Sequence, residues 1–195
     1  GLPAEQPVAL PMDEAFYAGI ERIQILACGT SRHAAMVGAY LLEQFAGLPT
    51  SVHYASEFRY SPPPLAPHTL TIGVTQSGET ADTLAALEHI DGARVLARLA
   101  ICNVDHSAMV RACELVYLTQ AGAEIGVAST KAFTTQLAAF LNLTLCLARH
   151  HPRDGRHNRG RPLRRRTRSQ LGARSLPRAR HFQHCIGGSR ARGSA

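Results

Sequence analysis

The sequence contains no apolar run of the roughly 20 residues that a membrane-spanning helix needs, so we expect no membrane span. The most apolar helical stretch, from Leu137 to Leu147, is too short and is typical of a buried helix. The first residues show no secretory signal pattern. The cysteines show no C-x-x-C spacing, which indicates neither a zinc site nor a disulfide framework; they are Cys28, Cys102, Cys113, Cys146 and Cys185. Such scattered cysteines suit a reducing compartment, and we expect a cytoplasmic location.

Familiar metal and dinucleotide motifs are absent as well. The ten histidines show neither H-x-x-x-H nor HExxH spacing, and no glycine-rich turn has G-x-G-x-x-G spacing. We therefore predict no metal and no cofactor. No helix-turn-helix pattern precedes residue 23 and no internal repeat is evident, so the sequence does not indicate a DNA-binding regulator or a repeat protein.

Lysine is nearly missing, since Lys131 is the only one, and the basic charge is concentrated in arginines near the end of the sequence. Residues 1–150 contain 8 Lys and Arg against 13 Asp and Glu, a net charge of −5. Residues 151–195 contain 13 Arg and one acid, a net charge of +12, so the total of +7 joins two unlike segments. The first segment has the size of one globular domain. The second has only six large apolar residues in 45, too few to offset the entropy cost of ordering, and we predict that it is disordered.

Two interpretations of the Arg-rich segment 151–195 are open. An arginine arm could bind nucleic acid non-specifically through its phosphates. The segment has one aromatic residue, Phe182, and no recognisable RNA- or DNA-binding module, which argues against that role. Its Arg, Gly, Pro, Ala, Ser and His residues mostly have GC-rich codons, so our favoured hypothesis is out-of-frame sequence that begins near residues 151–156.

Apolar runs alternate with helical periodicity along residues 13–150, which predicts one α/β domain with a parallel sheet covered by helices on both faces. The predicted strands lie near 23–27, 51–54, 70–74, 95–102 and 115–118. The predicted helices lie near 32–46, 79–90, 106–113 and 130–149, with a short leading helix at 13–22. Residues 1–12 are rich in proline and are interpreted as a linker remnant.

Hydroxyl side chains gather around a glycine in residues 75–83, between a predicted strand and a predicted helix. The first N–H groups of a helix lack partners within the helix and lie at its positive end, so they can bind an anion. Thr75, Ser77 and Thr80 would add neutral donors to those groups. The alternative is an ordinary helix start, with Ser77 as the N-cap and Thr80 in the first turn.

Two further segments repeat this design. Cys28-Gly29-Thr30-Ser31 follows a predicted strand and precedes a predicted helix. Ser129-Thr130 opens the apolar helix that runs to about Leu147. In a parallel sheet, three such turns would meet at the carboxyl ends of the strands, where open α/β sheets bind ligands. Together they predict a ligand that bears a phosphate.

Five motifs resemble the glutamine:fructose-6-phosphate aminotransferase family, also called glucosamine-6-phosphate synthases. They are CGTS at 28–31, ASEFRY at 55–60, QSGETADTL at 76–84, AICNV at 100–104 and EIGVASTKAFTTQ at 124–136. Their order and spacing match the first of the family's two sugar-isomerase (SIS) domains over roughly residues 20–149. The resemblance implies a flavodoxin-like SIS domain with a five-stranded parallel sheet that binds a sugar phosphate.

The resemblance also implies which residues bind the sugar phosphate. Those that resemble the first sugar-phosphate loop are Cys28, Gly29, Thr30 and Ser31; those that resemble the phosphate clasp are Thr75, Gln76, Ser77 and Thr80; those that resemble the sugar contacts are Val127, Ala128 and Ser129. Position 75 is commonly serine in the family, and the added methyl group of threonine could crowd the phosphate.

The family's enzyme is larger than this sequence. The resemblance implies a homo-oligomer that joins a glutaminase to two SIS domains, with acid–base residues from the second SIS domain and a neighbouring subunit. Neither the glutaminase nor the second SIS domain can be mapped on this sequence, so we predict no catalytic residues and no turnover by this chain. We predict that it binds a hexose 6-phosphate (fructose 6-phosphate or glucosamine 6-phosphate). The intact enzyme would make glucosamine 6-phosphate for amino-sugar biosynthesis. The alternative is a non-catalytic regulatory module that binds a sugar phosphate.

Five other residues have roles that the pattern leaves open. Cys28 could be a nucleophile, but a small residue packing beside the sugar is the favoured interpretation. Lys131 is expected to face solvent rather than a phosphate. Glu57 or Glu124 could act as a base, but both are expected to hydrogen-bond loop backbone. Glu79 is expected to support the dipole of the helix that follows it.

Overall fold

A computed structural model describes residues 14–90, 95–122 and 130–150. The predictions for the linker 1–12, for the Arg-rich segment 151–195 and for Glu124, Val127, Ala128 and Ser129 lie outside the described residues.

Five parallel strands form one sheet in the order β2-β1-β3-β4-β5. The strands are β1 (Arg22–Ala27), β2 (Thr50–Tyr54), β3 (Thr69–Val74), β4 (Ala97–Cys102) and β5 (Leu115–Leu118). The helices are α1 (Glu14–Ala18), α2 (Gly29–Leu41), α3 (Ala55–Phe58), α4 (Ala81–Glu88), α5 (Ala108–Ala112) and α6 (Lys131–His150). This strand order is that of flavodoxin-like sheets, and the predicted fold class is confirmed.

The predicted element bounds need three corrections. The leading helix is shorter than predicted because Arg22 already pairs in β1. The predicted helix at 32–46 begins at Gly29, and its last turn, Leu42–Ala46, is π-helical. The four-residue helix α3 was not predicted, because so short an element has no periodicity of its own.

The core lies on both faces of the sheet, which explains the uniformly apolar character of its central strands. Every residue of β3 is buried, and in β1 only Arg22 is exposed. Helices α1, α2 and α6 pack on one face, and α3, α4 and α5 pack on the other. Helices α2 and α6 lie very close together, since a Cβ added to Gly38 would overlap the ring of Phe140. This close approach brings the first turns of both helices to the same edge of the sheet.

The described helices include none that is long and apolar enough to cross a membrane. Four cysteines of the described part carry free thiols; they are Cys28, Cys102, Cys113 and Cys146. Burial raises the pKa of the Cys113 thiol to about 12, so this side chain remains protonated at neutral pH.

Candidate functional site

Two of the three predicted hydroxyl turns lie side by side at the carboxyl edge of the sheet. Strands β1 and β3 are neighbours, with Ala27 paired to Val74 at their last residues, so the turns that follow them meet. We call residues 28–31 the first turn and residues 75–80 the second turn. Together they line a shallow cavity of about 240 Å³; its lining residues are Cys28, Gly29, Thr30, Ser31, Val74, Thr75, Gln76, Ser77 and Thr80. All eight described residues of the predicted site are therefore in one place.

In the second turn, two hydroxyl groups bond to each other instead of capping the helix. Thr80 is the N-cap residue of α4, with extended backbone, but its side chain accepts no cap hydrogen bond from that helix. Its Oγ1 lies 2.6 Å from Oγ1 of the buried Thr75. Ser77 precedes the cap, and its Oγ accepts a hydrogen bond from the N–H of Glu79 at 3.1 Å. The assignment of Ser77 as the N-cap and of Thr80 to the first turn is therefore wrong, since Thr80 is the N-cap residue.

Gly78 allows the second turn to dock against the loop that follows β4. Its φ of 72° lies in the left-handed region, and an added Cβ would overlap the side chain of Ser107. The N–H of Met109 donates to the Gly78 carbonyl at 3.0 Å. Glycine is thus required here both for its backbone conformation and for its lack of a side chain.

Glu79 stabilises a different helix from the one predicted. Its Oε1 accepts a hydrogen bond from the N–H of Ala108, the first residue of α5, at 2.7 Å. The expectation that it supports the dipole of the helix following it is corrected, because α4 begins only at Ala81. The carboxylate connects the second turn to α5.

Asn103 joins the loops that follow β3, β4 and β5. Its N–H donates to the Gln76 carbonyl at 3.1 Å. Its side-chain Nδ2 donates to the Gly122 carbonyl at 2.8 Å, and its Oδ1 accepts from the N–H of Ala121 at 2.6 Å. Asn103 lies in the AICNV motif, but the sequence alone predicts no role for it. An asparagine directly after a buried strand was the only available signal.

The first turn is built with fewer contacts of its own. Cys28 is the N-cap residue of α2, and its side chain makes no cap hydrogen bond. Gly29 has a φ of 53°, but an added Cβ there would meet open space. The buried Ser31 accepts a hydrogen bond from Nε2 of Gln136, on α6, at 3.0 Å. For Cys28, packing beside the sugar stays the favoured prediction over a nucleophilic role.

The side chains that line the cavity are all uncharged, but an ion pair lies close to it. Arg59 Nη1 is 2.8 Å from Oδ1 of Asp82, in the first turn of α4. An acid at that position would repel an anion bound at the helix start, and the guanidinium compensates its charge. Lys131, the first residue of α6, is exposed as expected. Within the described residues, no cluster of three His, Cys, Asp or Glu side chains could hold a metal ion.

A second cavity of about 280 Å³ lies beside the edge strand β2 and contains none of the predicted site residues. Its lining residues are Val52, His53, Tyr54, Glu57, Phe58, Ser61 and Pro63. Burial lowers the pKa of His53, so its imidazole is neutral at pH 7. Glu57 is exposed at this cavity, and its predicted contact with loop backbone stays a prediction.

Comparison with known proteins finds a family model and relatives that match this chain. The family model described as the SIS domain matches residues 17–145. Glutamine–fructose-6-phosphate aminotransferase (isomerizing) of Synechocystis sp. is 54% identical over 153 residues, covering 75% of this chain and 24% of that protein. The Legionella pneumophila enzyme of the same name is 58% identical over 130 residues, covering 67% of this chain and 22% of that protein.

Among solved structures, the C-terminal domain of glucosamine-fructose-6-phosphate aminotransferase from Francisella tularensis superimposes with a TM-score of 0.68. It is 43% identical, and the match covers 70% of this chain and 38% of that one. The chain therefore spans only about a quarter of the length of the curated relatives it matches. The matched region includes both turns that line the cavity, but most of the length of those relatives lies outside the match.

Proposed function

Since the chain belongs to the SIS domain family, we propose that its cavity binds the phosphate group of a hexose 6-phosphate, fructose 6-phosphate or glucosamine 6-phosphate. The cavity lies between the starts of α2 and α4, and neither start has a side-chain cap. Two helix starts with uncapped N–H groups present partial positive charge to an anion, although no lining side chain is charged.

The observation that carries the proposal is the convergence of five hydroxyl groups on this cavity. Thr75, Ser77 and Thr80 come from the second turn, and Thr30 and Ser31 come from the first. The Thr75–Thr80 hydrogen bond holds two of these oxygens 2.6 Å apart, so only one of the two protons is used between them. The other proton can be donated to a phosphate oxygen. The proposed sugar contacts Val127, Ala128 and Ser129, which precede α6 in the sequence, would complete the site.

We further propose that the chain serves the reaction named for its relatives without performing it alone. In that reaction ammonia derived from glutamine is transferred to fructose 6-phosphate, and the product is isomerised to glucosamine 6-phosphate for amino-sugar biosynthesis. This domain would hold the phosphate so that acid–base groups elsewhere meet the reacting carbons in register. We propose a homo-oligomeric, cytoplasmic assembly, and no specific binding of nucleic acid.

Titration calorimetry of the full 195-residue chain with glucosamine 6-phosphate tests the binding proposal. The wild type should bind saturably, and a Ser77→Ala, Thr80→Ala variant should bind at least about 100-fold more weakly, because charge-assisted hydrogen bonds contribute about 1.5–3 kcal/mol each. A Thr50→Ala, Ser51→Ala variant is the matched control. It removes the same two hydroxyl types at the start of β2, at the opposite edge of the sheet.

Two outcomes would contradict the proposal. The first is a wild-type chain that melts cooperatively but binds no glucosamine 6-phosphate. The second is equal affinity in the wild type and the Ser77→Ala, Thr80→Ala variant. Turnover is tested separately, by incubation with fructose 6-phosphate and glutamine or ammonia. We expect no glucosamine 6-phosphate to form, and its appearance with the purified chain would show that the chain is catalytic.

A further inference from the structure

One buried amide reaches the cavity from a helix that does not line it. Gln136, in α6, is only 2% exposed, and its Nε2 donates to Oγ of Ser31 at 3.0 Å. The two residues are 105 positions apart in the sequence. Ser31 itself is 8% exposed and lines the cavity. The hydrogen bond therefore connects α6 directly to a proposed phosphate-binding hydroxyl.

The other end of this amide has no hydrogen-bond partner in the described part of the chain. Gln136 Oε1 is buried and unpaired. Rotating the amide by 180° would place Nε2 there instead and leave its two N–H donors unpaired. Buried N–H groups without a partner are rarer in proteins than buried carbonyls without one. The orientation with Nε2 on Ser31 is therefore the favourable one.

This orientation determines what the Ser31 hydroxyl can do. A serine hydroxyl has one proton to donate and two lone pairs that accept. Because Gln136 occupies a lone pair, the proton of Ser31 is available to an acceptor in the cavity. We propose that Gln136 is a positioning residue that turns the Ser31 hydroxyl into a donor for the ligand's phosphate. The inference rests on the proposed function of the cavity.

The unpaired oxygen also predicts how Gln136 affects stability. A buried carbonyl without a partner destabilises the folded state, and an apolar side chain of similar length would avoid that penalty. A Gln136→Met variant should therefore melt at the same temperature as the wild type, or higher, and still bind the ligand less well.

Gln24 provides a matched control. It is also a buried glutamine, 7% exposed, with an unpaired amide atom, Nε2. It lies in β1 and does not line the cavity. Gln24→Met removes the same chemical group from the interior, so its effect measures loss of a buried amide without loss of the contact to Ser31.

The test is a double-mutant cycle, by titration calorimetry with glucosamine 6-phosphate on the full chain. Gln136→Met should weaken binding about 5- to 10-fold, as expected for a misdirected hydrogen bond. Gln136→Glu should weaken it further, because a carboxylate accepts the Ser31 proton and repels the phosphate. In a Ser31→Ala background, Gln136→Met should have no further effect. Gln24→Met should leave the affinity unchanged.

If Gln136→Met lowers the ligand affinity equally in the wild-type and Ser31→Ala backgrounds, the inference is overturned, because Gln136 then acts independently of the Ser31 hydroxyl. An unchanged affinity in Gln136→Met would overturn it as well. In both cases the wild type still binds and the Ser77→Ala, Thr80→Ala variant does not, so the proposed function survives. A wild-type chain that does not bind at all overturns both.

Discussion

The two turns of the cavity have the same sequence design but different structural support. Each follows a buried strand, contains a glycine with positive φ and ends in hydroxyl residues at a helix start. The second turn is held by the neighbouring loops and by α5, through Asn103, Ser107, Ala108 and Met109. In the first turn, the described side-chain hydrogen bond is the single one from Gln136 to Ser31. Similar local sequence thus produces one turn clamped by adjacent loops and one oriented by a distant helix.

The largest difference between the two turns is expected when the glycine of each turn is replaced by alanine. Gly78→Ala combines a left-handed backbone with overlap on Ser107. We expect the free energy of unfolding to fall by about 3 kcal/mol or more, and no detectable ligand binding. In Gly29→Ala the added methyl group meets open space. Only the cost of the left-handed backbone then lowers the free energy of unfolding, by about 1 kcal/mol. Chemical denaturation measures both. Equal losses would show that the second turn is not clamped as described.

A smaller effect is expected from Asn103→Ala. The variant leaves the N–H of Ala121 and the carbonyl of Gly122 without their side-chain partner, which costs about 1–3 kcal/mol. The backbone hydrogen bond from residue 103 to the Gln76 carbonyl is kept in the variant, but the side chain no longer fixes the loop that donates it, so ligand affinity should fall together with the melting temperature. Asn142→Ala, which removes one amide contact to Tyr117, is the control and should lower stability alone. Unchanged ligand affinity in Asn103→Ala would contradict the role of Asn103 as a connection between the loops.

The smallest effect concerns the ion pair beside the second turn. Arg59→Met leaves Asp82 uncompensated near the start of α4, and we expect glucosamine 6-phosphate to bind about 2- to 5-fold more weakly at low salt. Both side chains are about a third exposed, so the loss should shrink as salt is added. Adding Asp82→Asn should restore the affinity. Failure of that rescue would mean that Arg59 acts through another contact.

Much of the fold could be predicted because the signal is local. Each predicted strand overlaps an observed one, and the central strands β1, β3 and β4 were marked most clearly because burial on both faces makes them mainly apolar. The first and second turns were also predicted, because each places a glycine and hydroxyl residues between a strand and a helix. The short helix α3 and the π-helical end of α2 were missed, since no pattern of spacing marks them.

The supports of the site could not be predicted in the same way. Glu79 was assigned to the helix next to it in sequence, whereas its carboxylate binds the start of α5, 29 residues later. Asn103 and Gln136 lie inside motifs that the resemblance identified, yet nothing in their own surroundings says which loop they contact. These contacts depend on which elements the sheet places side by side.

The sequence by itself determined the α/β class, the order of the elements and the residue types available for binding an anion, because burial periodicity and turn chemistry act over a few neighbouring residues. Only the tertiary structure decided that Thr75 and Thr80 share a hydrogen bond, that Gly78 fits under Ser107 and that Gln136 reaches Ser31. Those contacts exist because adjacent parallel strands end at one edge and because α2 and α6 pack closely. Both are properties of the whole packed chain.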